Sequence, residues 1–230
     1  MTESTNEKIL KLLEEKILLK KDVFSKTNSA FIELKQIVSQ LVTNLNAKGH
    51  GNPKYPLAEY KETNDNEFLI SLADETLVFV LHSNIFTFDQ SHEIWKSSYV
   101  EKDHSRSYCG KIFIYNFLTD SFHYNRTNDI GYLIARILIN KESHFFVEGK
   151  KQLGYLYNDF STMVLDKENI EKILEAAILF SLDFDPFTPP FDAQIEISVR
   201  EIMEASIQAR IATGKRLGFE FSGEDKPVVG

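Results

Sequence analysis

A seven-residue apolar repeat near the start of the chain constrains its fold more than any other feature. The first and fourth positions of such a repeat, called a and d, lie on one face of a helix. All six a positions are apolar here, and of the five d positions only Lys20 and Thr27 are not. The apolar members are Leu10, Leu13, Ile17, Phe24, Phe31, Leu34, Val38, Leu41 and Leu45. The repeat therefore predicts a long helix whose apolar stripe must be covered, either by another copy of the chain or by the rest of this one.

Local signals indicate where this helix begins and ends. Ser4 and Glu7 have the spacing of a capping box, which predicts a helix start near residue 5. Gly49 and Pro53 lie in the segment that ends the helix, with Gly49 available for a left-handed cap. The weak helix formers at 25–29 leave a kinked pair of helices as an alternative. Because the repeat continues across them, we favour one helix, straight or mildly kinked, over a break into two.

The width of the apolar stripe indicates whether the helix forms a free two-stranded coiled coil or packs against a core. Two-stranded coiled coils carry complementary charges at the flanking e and g positions, and several of these positions are apolar here. They are Ile9, Val23, Ala30, Ile37 and Val42. A parallel pair would also bring Lys16 of one chain near Lys21 of the other. We therefore expect the helix to form a wall against a core or bundle, with predicted helices at 167–182 and 189–213, or their copies in a second subunit, as its partners.

Downstream of the helix, the apolar pattern changes from helical to extended. Two runs joined by a short turn, 68–72 and 76–81, predict a hairpin. Residues 111–117 are apolar on both faces, which indicates a central strand. Further strands are predicted at 122–125, 145–147 and 153–157.

Helices are predicted between and after these strands. Apolar residues at three- and four-residue spacing predict a short buried helix at 130–138, capped by Asn128. The fold class is therefore predicted to be α+β: an antiparallel sheet of about five to seven strands packed against long helices, with a long N-terminal helix or kinked helix pair. The predicted division is the N-terminal helix 1–48, a connector 49–66, an α+β domain 67–221 and a flexible tail 222–230.

Composition and charge argue against several classes of partner. The net charge is −8, so no general attraction to nucleic acid or to anionic lipid is expected. No stretch approaches the ~18 consecutive apolar residues of a membrane-spanning helix. No secretory signal is expected, and the single cysteine, Cys109, fits a reducing compartment. We therefore expect a cytoplasmic protein that binds neither nucleic acid nor membrane.

Motifs for catalysis or for a cofactor are not found in the sequence. The residue types that bind metals include His82, His92, Glu93, His104 and Cys109. They lack the short paired spacings of zinc sites, so no metal or other cofactor is expected. Glu148 and Lys150 follow an apolar run, as in a metal-dependent nuclease, but that chemistry also needs an Asp on a neighbouring strand. Because Asp120 and Asp129 are predicted in a turn and at a helix start, an ordinary hairpin turn is favoured.

One polar cluster is the candidate ligand site. Its members are His123, Asn125, Arg126, Asn128 and Asp129. They would combine one face of a predicted strand with a helix N-terminus, where backbone amides and Arg126 can hold an anion. In the structural alternative, Asn128 caps the helix and Arg126 pairs with Asp129 or another carboxylate.

The sequence as a whole predicts a non-enzymatic α+β module that self-associates or binds another protein through its helical layer. One alternative is a sensor or binding domain for a small anion or metabolite near Arg126. Another is a metal-dependent, nuclease-like hydrolase that uses Glu148 and Lys150.

Overall fold

A long N-terminal helix and an antiparallel sheet form the two main layers of the fold. The computed structural model describes residues 4–49, 56–155, 159–183, 186–187 and 214–215. Six strands make one antiparallel sheet in which each strand pairs with the next along the chain. The N-terminal helix and a second long helix cover one face of this sheet. The predicted α+β class is confirmed, and so is the predicted number of strands.

The six strands form a meander in which each strand pairs with the next along the chain. They are β1 (Ala58–Asn64), β2 (Glu67–Leu72), β3 (Glu75–Leu81), β4 (Cys109–Leu118), β5 (Tyr132–Asn140) and β6 (Phe145–Gly149). The turn between β2 and β3 holds Ala73 at a φ of 54°, a left-handed conformation that residues with a Cβ seldom adopt. The predicted hairpin and the predicted central strand are both confirmed, since β2 pairs with β3 and β4 lies inside the sheet.

One continuous helix, α1 (Thr5–Lys48), contains the whole seven-residue repeat, so the alternative of a break between two shorter helices is wrong. The Glu7 N–H donates to Ser4 Oγ and the Ser4 N–H donates to the Glu7 carboxylate, which confirms the capping box. Gly49 ends the helix at a φ of −73° and a ψ of 142°. This conformation is extended, so Gly49 does not provide a left-handed cap. The Asn46 side chain joins the helix end to β1 by donating to the Ala58 carbonyl.

Only the C-terminal half of α1 packs on the sheet. The buried residues of the helix are Val23, Thr27, Phe31, Leu34, Val38 and Val42. The Phe31 ring lies 5.2 Å from the Phe68 ring, which stacks on Phe79 at 4.6 Å between centroids. The expectation of a wall against a core is therefore confirmed for this half of the helix.

The second long helix, α5 (Lys167–Leu182), packs beside α1 on the same face of the sheet. Its N-cap is Asp166, whose side chain accepts a hydrogen bond from the Asn169 N–H at 2.9 Å. Apolar residues at helical spacing, including Ile170 and Leu174, enter the shared core. The helix predicted at 167–182 is confirmed.

Short turns cover one end of the opposite face of the sheet. Between β3 and β4 the chain forms two 3₁₀ turns, Glu93–Lys96 and His104–Ser107, and the helix α2 (Ser98–Lys102). They enclose a second, smaller apolar cluster. Its buried members are Ile94, Val100, Cys109, Leu138, Phe146 and Phe160.

Four predicted elements differ from the structure. Residues 58–64 form β1, although the range 49–66 was expected to be irregular. Residues 122–125 end the helix α3 (Thr119–His123) and enter a turn, where a strand was expected. The helix expected at 130–138 is largely β5. Where a strand was expected from residue 153, the chain forms the helix α4 (Gln152–Tyr155).

The error at β5 has a simple physical cause. Most of this strand is buried, because it lies between β4 and β6 and apolar residues point to both faces of the sheet. A run that is apolar at nearly every position fits a helical spacing and an extended one equally well. The β-branched residues Ile134, Ile137 and Ile139 are the local signal that favours the strand.

Two predicted elements, the helix at 189–213 and the tail at 222–230, lie outside the described residues. Two short strands, β7 (Pro186–Phe187) and β8 (Gly214–Lys215), pair with each other in antiparallel fashion. Within the described part of the chain, no helix combines the length and the apolarity needed to cross a lipid bilayer.

Candidate interaction site on the N-terminal helix

The first part of α1 extends away from the sheet, and we call residues 5–22 the N-terminal arm. Every arm residue is exposed except Leu19, which is half-buried. At 1.5 Å per residue the arm is about 27 Å long. A helix this short is marginal by itself, but here the packed half of α1 supplies the nucleus and the arm needs only to propagate it.

Six large apolar side chains of the arm are exposed to solvent. Their exposed fractions are 49% for Ile9, 59% for Leu10, 64% for Leu12, 51% for Leu13, 51% for Ile17 and 62% for Leu18. A single exposed leucine is ordinary on a protein surface, but a contiguous group is a mark of an interaction site. At 100° per residue, all of them except Leu18 fall within about half of the helix circumference. Leu18 lies on the opposite side of the arm.

The exposed patch continues the stripe by which α1 packs on the sheet. Three- and four-residue steps from the buried Val23 toward the N-terminus lead to Lys20, Lys16, Leu13 and Ile9. The sheet therefore lies on the same side of the helix axis as the exposed patch. The two lysines lie in the part of the stripe nearest the sheet, and both are exposed.

The predicted anion site lies in the loop between α3 and β5. No helix begins at Asn128 in this described segment, so the helix N-terminus that the prediction required is not formed. The side chains of His123, Asn125 and Asn128 are exposed, and Asn125 has a φ of 51°. The five candidates thus extend from the last residue of α3 into the loop that follows it, and no helix N-terminus lies among them.

Arg126 is 7% exposed, and its guanidinium faces carboxylates. Its Nε lies 3.0 Å from Asp129 Oδ2, and its Nη2 lies 3.9 Å from Asp120 Oδ2. Asp129 Oδ2 also accepts a hydrogen bond from Ser121 Oγ at 2.7 Å. These contacts agree with the structural alternative for Arg126. Binding of a small anion here stays a prediction.

The two residues considered for hydrolase chemistry have different surroundings. Glu148 of β6 forms an ion pair with Arg136 of the neighbouring strand β5. Lys150 is exposed in the turn that follows β6. Across the described residues, no group of three or more His, Cys, Asp or Glu side chains could hold a metal ion.

Cys109, the single cysteine, is fully buried at the start of β4. Burial raises the pKa of its thiol well above the usual range, so the thiol stays protonated at neutral pH. This side chain packs in the smaller apolar cluster and has the environment of a structural cysteine rather than a nucleophile.

A polar network that sequence reasoning missed joins the short turns to the end of β5. Asn140 Nδ2 donates to Tyr99 Oη at 2.9 Å, and this hydroxyl donates to Glu142 Oε2 at 2.8 Å. The Arg106 guanidinium lies 4.3 Å from the centre of the Tyr99 ring and also donates to Glu142. Burial raises the pKa of Tyr99 to about 12, so its hydroxyl remains protonated. Because these groups satisfy one another, we interpret the network as structural support for the turn between β5 and β6.

Comparisons with models of protein families, with curated proteins and with solved structures give no significant match for this chain. The exposed patch of the arm is therefore interpreted from its own residues and their surroundings.

Proposed function

We propose that this chain is a protein-association module that pairs with a second copy of itself through its N-terminal arm, with the two arms antiparallel. The exposed apolar patch on the arm is the observation that carries the proposal. Removing apolar surface from water is worth about 25 cal/mol per Å². A second arm offers the same apolar surface, and a symmetric pair is the commonest way in which a chain covers such a patch.

The position of the sheet favours an antiparallel pair over a parallel one. Beyond Asp22, the face of α1 that bears the patch is covered by its own sheet. In a parallel pair, the partner helix would continue along this face and collide with the sheet. In an antiparallel pair, the Thr5 end of each arm lies beside the sheet of the other copy. The two sheets then lie at opposite ends of the paired arms.

The placement of charges favours the same orientation. In a parallel pair, Lys20 would face Lys20 of the second copy across the seam, and Lys16 would approach Lys21. In an antiparallel pair centred near Leu13, Lys20 and Lys21 lie instead beside the first turn of the other arm. The antiparallel arrangement thus separates these like charges.

The substitution Leu13→Glu tests this proposal, because it places a carboxylate in the centre of the patch. The interface of the unaltered protein is small, so we expect a dimer with a dissociation constant in the micromolar range. The charged variant should weaken the dimer at least about tenfold, since an unpaired charge would be buried. Sedimentation velocity over a concentration series measures both dissociation constants.

Leu18→Glu is the matched control, because it makes the same chemical change on the opposite side of the arm. Leu18 is 62% exposed, so this variant should change the dissociation constant by less than about twofold. The proposal is contradicted if the unaltered protein stays monomeric at every concentration. It is also contradicted if both variants weaken the dimer equally while circular dichroism shows unchanged helix content.

A further inference from the structure

The first strand of the sheet, β1, is a second candidate site for self-association. Within the sheet that the described residues form, β1 pairs only with β2 and is therefore an edge strand. The Ala58 N–H donates to Asn46 Oδ1 at 3.2 Å, and the Ala58 carbonyl accepts from Asn46 Nδ2 at 2.8 Å. These backbone groups of Ala58 thus point away from β2. Because the direction alternates along a strand, those of Tyr60 and Glu62 point outward as well.

The outward backbone groups of Tyr60 are accessible to another strand. Among the described residues, no group across this edge forms a hydrogen bond with the Tyr60 N–H or C=O. The neighbouring Glu59, Lys61 and Glu62 are all exposed. The Tyr60 ring packs 5.7 Å from the Phe68 ring, which accounts for the partial burial of this residue. Tyr60 thus presents one backbone donor and one backbone acceptor at an exposed edge.

Two exposed charges make this edge complementary to itself. Tyr60 packs toward the core beneath α1, so Glu59 and Lys61 on either side of it point to the opposite face of the sheet. Neither of them forms an ion pair with a described residue. When two copies of β1 lie antiparallel with Tyr60 opposite Tyr60, each Glu59 faces Lys61 of the other copy. Opposite charges directly across a strand pair attract.

The two nearest registers that keep the backbone hydrogen bonds place like charges opposite each other. A shift in one direction sets Glu59 against Glu59, and a shift in the other sets Lys61 against Lys61. Like charges directly across a strand pair are destabilising. Charged side chains often keep an edge strand from pairing at all, but here the same two charges favour one register over its neighbours. This charge complementarity identifies a second copy of β1 as the occupant of the edge.

The groove between α1 and this edge has a surface that a second copy can cover. Its volume is about 490 Å³. Lys35 and Glu62 are its charged residues, and they form an ion pair with each other. The other residues that line it from α1 are uncharged: Ile32, Gln36, Ser39, Gln40 and Thr43. Covering this groove would therefore bury no unpaired charge, which is the costliest group to remove from water.

We propose that β1 pairs with β1 of a second copy in antiparallel fashion, about a twofold axis at Tyr60, so that the two sheets join at their edges. The Tyr60 N–H of each copy donates to the Tyr60 carbonyl of the other, and two Glu59–Lys61 pairs fix the register. Because Asn46 holds the outward groups of Ala58, the exchange of backbone hydrogen bonds ends there. The contact is therefore weaker than the pairing of the arms.

A second twofold contact has a consequence for the size of the assembly. A chain that pairs through its arm with one copy and through β1 with another joins copies alternately into tetramers or longer assemblies. This consequence rests on the proposed function, whereas the pairing of β1 does not. The test therefore uses the full chain with the substitution Leu13→Glu, in which the contact between arms is weakened.

Charge reversal on β1 tests the proposed register. Sedimentation velocity of the Leu13→Glu protein at concentrations up to about 1 mM should show a dimer. Adding Glu59→Lys or Lys61→Glu should weaken this dimer at least about tenfold, since each change creates two pairs of like charges. Adding both together exchanges the charges and keeps the net charge. This exchange should restore the dissociation constant to within about threefold.

A control variant and hydrogen exchange locate the contact. Glu101→Lys makes the same change as Glu59→Lys on the exposed surface of α2 and should alter the dissociation constant less than about twofold. Exchange of the Tyr60 amide should slow as the concentration rises, because that amide becomes hydrogen-bonded, but not when Lys61→Glu is added.

Three results would overturn the pairing of β1. They are a Leu13→Glu protein that stays monomeric, a charge exchange that restores no association, and a Tyr60 amide whose exchange does not depend on concentration. None of these measurements depends on whether the unaltered arms pair, so this proposal and the proposed function can fail separately.

Discussion

Two asparagines of the central strands are fully buried, but they differ in their hydrogen bonding. Asn140 donates to Tyr99 Oη and to the Arg106 carbonyl, and its Oδ1 accepts from the N–H groups of Glu142 and His144. Asn116 is equally buried, but neither its Nδ2 nor its Oδ1 has a hydrogen-bond partner in the part of the chain that the structure describes. An unpaired buried amide destabilises a protein by about 1–3 kcal/mol. The same residue type therefore stabilises one strand and weakens its neighbour.

Substituting valine at each position should change the stability in opposite directions. Asn116→Val removes an unpaired amide from a strand and should raise the free energy of unfolding by about 1 kcal/mol. Asn140→Val leaves buried backbone groups without their partner and should lower it by about 2–3 kcal/mol. Urea denaturation measures both values. A loss of stability at Asn116 as large as that at Asn140 would contradict this interpretation.

For single residues, the sequence predicts burial more readily than it predicts hydrogen-bond partners. Asn116 lies in a run that is apolar on both faces, so its burial follows from the strand predicted there. The partners of Asn140 include Tyr99 and Arg106, which are distant along the chain and meet it only through the fold. Arg126 and Asp129 are three residues apart, and their pairing could be named as an alternative because it is local.

At the scale of elements, prediction succeeds where the two faces of an element differ. α1 has an apolar stripe and a polar opposite face, and a short turn separates β2 from β3. β5 is apolar on both faces, so spacing could not identify it. β1 is mostly exposed and largely polar at the edge of the sheet, so its sequence resembles a connector.

α1 approaches the sheet closely at Gly110 of β4. A Cβ atom at this position would lie 2.1 Å from Thr27 Oγ1 and 2.8 Å from Thr27 Cβ. The Thr27 hydroxyl is held in place because it donates to the Val23 carbonyl at 2.8 Å. The absence of a side chain at Gly110 therefore allows the helix to lie directly on the strand.

Gly110→Ala should push α1 away from the sheet and lower the free energy of unfolding by about 2–3 kcal/mol. Thr27→Ala removes the hydroxyl, which the new Cβ would meet first, and the methyl group, which it would meet at 2.9 Å. The double variant should therefore lose at least about 1 kcal/mol less than the sum of the two single losses. Urea denaturation of the four proteins gives this coupling energy, and strictly additive losses would show that the contact does not set the spacing.

At the scale of the whole molecule, one apolar repeat has two different surroundings. From Val23 onward the repeat packs on the sheet, whereas along residues 5–22 it is exposed. The sequence predicts the stripe but not this boundary, because the a positions are apolar on both sides of it. The boundary depends on how far the sheet extends, which is a property of the assembled fold.

The proposed antiparallel pair can be checked by cross-linking at this scale, because the native Cys109 is buried and does not compete. A mixture of Asn6→Cys and Lys20→Cys proteins should form an intermolecular disulfide, since these positions lie side by side. Asn6→Cys alone should not, because its two thiols would be about 20 Å apart in the antiparallel pair. Gel electrophoresis without reductant measures the products. Efficient cross-linking of Asn6→Cys to itself would indicate a parallel pair instead.

The continuity of α1 has a consequence for multivalent binding. Because one unbroken helix joins each arm to its sheet, the proposed pair of arms would hold its two sheets at opposite ends, about 27 Å apart along the arms. A partner that binds both sheets through two segments could do so only if the linker between the segments spans this distance. Avidity would then rise sharply at a minimum linker length and fall slowly for longer linkers. The length of the helix would thus select partners by the spacing of their binding segments.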